Sequence, residues 1–288
     1  MLKELPEKAL RFLTIIYNAI LRLNHFPVQW KVAQIILLPK PGKNLEDITS
    51  YRPISLLPVA AKVFEKLLLK RIRPELEKNN FIPDHQFGFR QQHSTIEQVH
   101  RIVRKINNDL EEKRYCSAVF LDVSQAFDKV WHLGLLYKIK KYLPHNYYLL
   151  LKSYITDRHF LVRYQEIYTT LRFIESGVPQ GSVLGPFLYL LYTSDLPVRK
   201  QTTTATFADD TAIMASHVDP KIATENLQES IKQIQTWLKT WRIKVNEQKS
   251  VHVTFTLKKK ICPPIMINNM QIPQHKSTKY LGMHLDSK

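Results

Sequence analysis

"TTTATFADDTAIMAS" (residues 202–216) places two adjacent carboxylates, Asp209 and Asp210, between two apolar, β-branched runs. The pattern reads as strand, turn, strand. A sheet interior does not accept unpaired carboxylates, and two side by side repel each other. A two-residue Asp-Asp turn would put both side chains at one edge of a sheet. Asp also tolerates turn geometry well, so the dipeptide alone fits an ordinary hairpin. A second run bears on the choice. "YCSAVFLD" (115–122) reads as an apolar strand that ends on a third carboxylate, Asp122. If that strand lies beside the hairpin, three carboxylates converge. A hard divalent cation would compensate such a cluster and keep positions open for phosphate oxygens. Two such ions about 3.5–4 Å apart suit phosphoryl transfer.

The rest of the chain sets bounds. Its 288 residues can bury a proper core as one large domain or two modest ones. Lys plus Arg number 42 against 25 Asp plus Glu, a net charge of +17 that points to a polyanionic partner. Cys116 and Cys262 lie far apart, with no CxxC pair, which fits a reducing, intracellular setting and argues against a zinc module. The polyanionic partner would be nucleic acid or an acidic membrane surface. The second rests on charge alone, and no membrane partner is expected beyond non-specific attraction, while no apolar run approaches the roughly 20 residues that span a bilayer. The N-terminal MLKELPEKALRFL is an amphipathic helix pattern, not a signal peptide.

Spacing predicts helices over 7–23, 61–72 (stopping before Pro74), 94–114, 133–142, 145–155, 181–196 and 220–242. Ser94 and Glu97 form a capping-box pattern. Strands are expected over 32–38, 115–122, 251–257, 264–267 and 279–285, with a hairpin over 159–164 and 169–175. PKPGK (39–43) is a turn-rich loop. The mixture lacks a regular βαβα alternation, so α+β is favoured. His93 and His100 are seven apart on the expected helix and share a face. No cysteine or carboxylate pattern surrounds them, so they read as surface positions or contacts to a polyanionic partner rather than metal ligands.

Three blocks carry a resemblance. FADDTAI (207–213) resembles the [YF]xDD signature of reverse transcriptases, and FLDVSQAFDKVWH (120–132) their first catalytic motif, in the form found in non-LTR (LINE-type) retrotransposons. GVPQGSVLGPFLYLLYTSDLP (177–197) resembles their PQG motif and following helix. WKVAQIILLPKPGK (30–43), YRPISLL (51–57), KVFEKLLLKRI (62–72) and QFGFRQQHST (86–95) resemble the upstream blocks. WRIKVNEQKS (241–250) and KYLGMHLD (279–286) resemble the downstream ones, with jockey-like elements the nearest group.

The resemblance implies an α+β right-hand polymerase. It would have an N-terminal helical extension (1–24), fingers (25–115, with 132–172 contributing) and a palm (116–131 and 173–288), its antiparallel sheet flanked by helices and the thumb largely absent. The implied activity is RNA-directed DNA polymerase, with RNA template, DNA primer and dNTPs as partners and two Mg²⁺ ions, or Mn²⁺, as cofactor. Asp122 and Asp209 would be the main metal ligands, Asp210 the less direct one, and the backbone carbonyl of Val123 a further ligand. Phe127 would crowd a 2′-hydroxyl and select dNTP. Gln180 and Gly181 would lie near nucleotide and template, and Lys40 and Arg52 would grip the triphosphate. Lys249 is implied either as general acid toward pyrophosphate or as a simple phosphate-neutralising cation. Tyr280, Leu281 and Gly282 resemble a primer-grip hairpin, although Tyr280 reads equally well as packing. Asp128 reads as a turn cap outside the catalytic set.

No thumb, endonuclease signature or Cys/His cluster is recognised, so a piece of a larger reading frame or a truncated copy is expected, weakly bound to primer–template and poorly processive. Nuclear localisation is implied only by the family's priming at chromosomal DNA. Two other readings stay open. A retired site kept as a nucleic-acid binder would explain the charge but not three intact aspartates in register with Phe127, Gln180 and Lys249. A group II intron maturase or telomerase subunit would share the fold, but the AFDKVWH and GVPQGSVLGP wording favours LINE-type elements.

Overall fold

The computed structural model describes residues 4–42, 44–47, 50–77 and 81–288. Residues 1–3 of the N-terminal pattern and Lys43 of the PKPGK loop lie outside the described residues. In chain order the elements run α1 (Glu7–Leu23), β1 (Val32–Pro39), β2 (Tyr51–Leu56), α2 (Val59–Glu77), α3 (Thr95–Glu111) and β3 (Tyr115–Val123). Next come α4 (His132–Tyr142), α5 (His145–Ile155), β4 (His159–Tyr164), β5 (Ile167–Tyr168), β6 (Arg172–Phe173) and α6 (Leu184–Thr193). Then follow β7 (Thr203–Phe207), β8 (Asp210–His217), α7 (Pro220–Thr240) and β9 (Val245–Phe255). The last elements are β10 (Met266–Ile267), β11 (Met270–Gln271), β12 (Ser277–Tyr280) and β13 (Met283–Asp286).

Two compact units result: Met1–Phe81 with Phe127–Tyr192, and Ile82–Ala126 with Thr193–Lys288. This division differs from the expected fingers and palm boundaries at three places; one is that residues 127–131 fall in the first unit, where the Val130 and Phe127 carbonyls accept from Gly177 N and Val178 N, each at 2.8 Å. Residues 82–115 belong to the second unit because α3 buries Val99, Ile102 and Ile106 against that unit's sheet. Residues 173–192 belong largely to the first because α6 starts on a carboxylate of α2: Val183 N and Leu184 N donate to Glu65 Oε2 at 2.7 and 3.0 Å.

The second unit is built on an antiparallel sheet of order β7-β8-β3-β9. Side chains alternate across a strand, and both faces of β3 are covered. Cys116, Ala118 and Phe120 join the cluster under α3, and Val119 and Leu121 join the one under α7. That is why the strand reads as an unbroken apolar run, a pattern more usual in parallel sheets. The capping box at Ser94 is formed: Glu97 N donates to Ser94 Oγ at 3.2 Å, and Ser94 N to Glu97 Oε2 at 2.7 Å. His93 therefore sits before the helix, edge-on to Phe87 at 4.6 Å, and does not share a helical face with His100.

One buried base makes this unit acid-sensitive. His252 on β9 is fully buried, its Nε2 2.8 Å from Ser117 Oγ, and burial holds its imidazole down at about 4. A depressed base contributes stability that is present above the unfolded value near 6.5 and lost as pH falls toward 4. At pH 5 the loss is about 2 kcal/mol. Hydrogen exchange of the β3 and β9 amides at pH 7 and pH 5 measures it. Once intrinsic rates are removed, protection should fall at pH 5, and His252→Gln should reduce the fall. His85 titrates in the same direction, so part of the effect survives that change.

In the first unit β1 lies between β2, antiparallel, and β4, parallel. The expected second strand at 169–175 shrinks to β6, and β5, just before that range, pairs with β4 as β6 does. An aromatic cluster fills the core: the Phe26 ring centre lies 5.7 Å from Trp30, 6.1 Å from Phe64 and 4.9 Å from Tyr154. Helix α2 does not stop before Pro74; it runs through it. Ile72 and Leu76, both buried, bracket the exposed Pro74, so burial on either side outweighs the lost backbone hydrogen bond. Both cysteines are free and buried. Among the described residues no helix is long and apolar enough to cross a membrane.

Candidate active site

The strand adjacency that the three carboxylates require is present. β3 pairs with β8 from Tyr115↔His217 to Leu121↔Thr211, and one further step of that register sets Asp122 opposite Asp210. The hairpin is tighter than expected. Phe207 pairs with Asp210, so the two-residue turn is Ala208–Asp209 rather than Asp209–Asp210. Asp210 begins the outgoing strand. Ala208 takes a left-handed φ of 57°, unfavourable for a residue with a Cβ.

Asp210 senses the other two carboxylates. The Asp210 carboxyl is pushed up to about 6, first by burial and then by the charges of Asp209 and Asp122. Asp210 as a whole residue is exposed, so dissolved salt weakens the like-charge part. The donor set is oxygen-only and anionic, which suits Mg²⁺ or Mn²⁺ and not a soft metal. Among the described residues no three His, Cys, Asp or Glu side chains are drawn together closely enough to grip an ion.

On the other side of β3 the ladder breaks. Phe120 pairs with Val251, but Asp122 pairs with Asn246, so residues 247–250 bulge from β9 beside Asp122. The bulge is tied internally. Lys249 N donates to Asn246 Oδ1 at 3.1 Å, and Ser250 Oγ donates to the Asn246 carbonyl at 2.7 Å. Asp122 N in turn donates to Ser250 Oγ at 3.1 Å. The bulge thus fixes the backbone of Asp122 and presents Lys249, exposed, from the same turn. Sequence reasoning missed Ser250 and the backbone role of Asn246. The N-x-x-K spacing was a signal for the turn, but nothing marked the serine.

Tyr280 is buried. Its ring lies 5.5 Å from Phe120, and its hydroxyl donates to the Ala205 carbonyl at 3.4 Å. It supports the sheet from within. Leu281 and Gly282, with φ of 48° and 89°, form the two-residue turn between β12 and β13, and Gly282 faces open space.

The first unit gathers the remaining residues around β2. Lys40 follows β1, its N–H donating to Ser50 O at 2.7 Å, and the exposed Arg52 pairs with Leu38 on the same ladder end. The PQG loop leans on the same strand. Ser55 N donates to Gln180 O at 2.7 Å, and Gly181, at φ 103°, packs so closely that a Cβ would meet Ser55 O at 2.8 Å. Only glycine fits there. Gln180 Nε2 donates to Asp128 Oδ1 at 3.0 Å, and Val178 N to Phe127 O at 2.8 Å. Asp128 is therefore more than a turn cap: its half-buried carboxyl aims the Gln180 amide. Burial raises that carboxyl, while Gln180 and then Lys129 pull it down. The Phe127 ring stacks on Tyr189, centres 4.7 Å apart and planes 20° from parallel.

Comparisons with known proteins give the chain its family. Residues 38–285 match the family model described as reverse transcriptase (RNA-dependent DNA polymerase). The chain is 46% identical over 297 residues to the probable RNA-directed DNA polymerase from transposon BS of Drosophila melanogaster, covering all of this chain and 33% of that protein. It is 42% identical over 295 residues to the RNA-directed DNA polymerase from mobile element jockey of the same fly, covering 32% of it. The chain thus spans about a third of the length of these curated relatives. In fold it is similar to apo telomerase from Candida tropicalis truncated from its C-terminal domain, with a TM-score of 0.61 at 16% identity, over 96% of this chain and 58% of that one.

Proposed function

The chain belongs to the reverse transcriptase family, and from that premise we propose that it carries the RNA-directed DNA polymerase centre of a non-LTR retrotransposon. The observation that carries the reading is the meeting of Asp122, Asp209 and Asp210 at one sheet edge, their charges felt in the raised Asp210 carboxyl. Asp122 and Asp209, with Asp210 and the Val123 carbonyl, would hold two Mg²⁺ ions, Mn²⁺ being the natural substitute. When bound, the ions supply activation of a primer 3′-hydroxyl and stabilisation of the pyrophosphate that leaves.

The chain's own residues bind, orient and exclude. Lys40 and Arg52 neutralise the triphosphate of the dNTP. Gln180, aimed by Asp128, and Gly181, which admits close backbone approach, serve nucleotide and template. Phe127 discriminates against the ribose 2′-hydroxyl. Lys249, on its fixed turn, offsets charge on the departing pyrophosphate or protonates it. Leu281 and Gly282 meet the primer, with Tyr280 behind them. An RNA template and a DNA primer complete the assembly, and the +17 charge makes their binding salt-dependent. The chromosomal priming implied by the family puts this work in the nucleus.

A DNA primer annealed to an RNA template, with dNTPs and Mg²⁺, tests the proposal. Extension beyond the primer is expected. Salt-sensitive binding without extension, even when a thumb segment from a related element is appended, would identify a binder and not a polymerase. Phe127→Val should also relax sugar selection, raising ribonucleotide use relative to dNTP by about 10-fold or more, since a shape filter of this size is worth about 1–3 kcal/mol. The ratio of kcat/KM for a matched rNTP and dNTP reads it. An unchanged ratio would remove Phe127 from that role.

A further inference from the structure

The strained turn that carries Asp209 is held by a side chain from outside the hairpin. Gln86 is buried, and both ends of its amide engage the turn. Its Oε1 accepts from Ala208 N at 3.1 Å and from Gly88 N at 2.7 Å, and its Nε2 donates to the Ala208 carbonyl at 3.4 Å. The left-handed Ala208 thus has its N–H and its carbonyl taken by one residue. Gly88 permits the approach: a Cβ there would fall 2.2 Å from Ala208 N and 2.9 Å from the Phe207 carbonyl carbon.

We propose that Gln86 is a positioning residue that clamps the Ala208–Asp209 turn and so sets the Asp209 and Asp210 carboxylates in their working arrangement; this rests on the polymerase reading of that site. A purely structural role would be redundant. The segment 85–88 is already docked on β7 by backbone hydrogen bonds, Phe87 N to Thr206 O at 2.9 Å and Thr206 N to His85 O at 2.9 Å. Gln98, also buried, adds its Nε2 to Thr206 O at 3.0 Å and to His85 O at 3.3 Å. These contacts stop at Thr206. The Gln86 side chain alone among them reaches past the strand end to the turn.

Removing the Gln86 amide should therefore leave the strand docking and release the turn. In the full chain, Gln86→Leu is expected to speed exchange of the Ala208 amide by about tenfold or more, while β7 amides before Thr206 stay protected. Primer extension should lose about 30-fold in kcat with KM for dNTP within about threefold, because a misplacement of about 1 Å at reacting groups costs on the order of 100-fold. Gln86→Glu, which keeps the oxygen that accepts from Ala208 and Gly88, should recover most of both effects. If Gln86→Leu does not fold, Gln86→Asn, one methylene too short to reach the turn, takes its place with the same expectations. Unchanged Ala208 exchange overturns the proposal, and so does faster exchange with kcat within about threefold of wild type. If the wild type fails to extend a primer even with the thumb segment appended, the polymerase reading fails, and the exchange experiment alone decides whether Gln86 clamps the turn.

Discussion

Asp209→Asn is expected to cut RNA-templated DNA synthesis by about three orders of magnitude, the equivalent of about 4 kcal/mol of transition-state stabilisation, without unfolding the chain. The substitution keeps the size and turn preference of the side chain and removes its charge. Asp209 is one of the two charges that raise the Asp210 carboxyl, so its neutralisation relieves repulsion at the sheet edge. Melting temperature should hold steady or rise as activity collapses. That opposition separates a functional carboxylate from a structural one, because a structural residue loses both together. Parallel primer-extension and thermal-unfolding measurements on Asp209→Asn and Asp122→Asn make the check. Activity within tenfold of wild type in either variant would take that residue out of the chemistry.

Glu65→Leu should have the largest effect on stability, about 3–5 kcal/mol. Glu65 is fully buried and accepts three hydrogen bonds, from Val183 N, Leu184 N and the Tyr154 hydroxyl, the last at 3.2 Å. Burial raises its carboxyl, and the two backbone donors and the Arg158 charge draw it down. Arg158 is itself buried, with Nη1 donating to Tyr154 O at 3.1 Å and its Nε and Nη2 without a hydrogen-bond partner. Leucine at 65 would leave the first N–H groups of α6 unmet and the guanidinium without its counter-charge. Glu65→Gln keeps an acceptor and should cost markedly less. Denaturant unfolding of the two variants orders them; equal costs would show that volume and not polarity governs the position. The same carboxylate fixes the end of the loop that presents Gln180 and Gly181, so the leucine variant should also weaken nucleotide binding at temperatures where it stays folded.

Much of the site was legible because its chemistry leaves marks in the sequence. The apolar run of β3 and the β-branched flanks of Asp209 and Asp210 predicted two strands, and the aspartates needed a common sheet edge to make sense together. Their pairing through β3 and β8 supplies it. The capping box at Ser94 was legible because it is local. What escaped was set by tertiary contact. Propensity argues against Ala208 in a left-handed turn, and the Gln86 amide that bonds its N–H and carbonyl comes from far away in the sequence. Pro74 looked like a stop because the burial of Ile72 and Leu76 cannot be seen locally. Asp128 read as a cap because its partner, Gln180, comes from another segment. The unit boundaries moved for the same reason: α3 and α6 each pack on elements far from them in the chain.

The central claim is that a divalent ion is held at the edge where β3 meets the β7–β8 hairpin. Fe²⁺ loaded in place of Mg²⁺, in the presence of primer–template and dNTP, reduces added hydrogen peroxide to hydroxyl radicals that cut the backbone close to the ion, with ascorbate returning Fe³⁺ to Fe²⁺. Cleavage is predicted near Asp122, across residues 207–211 and in the 246–250 bulge, and it should vanish in the Asp122→Asn, Asp209→Asn double variant. Cuts elsewhere, or the same cuts in the double variant, would contradict it.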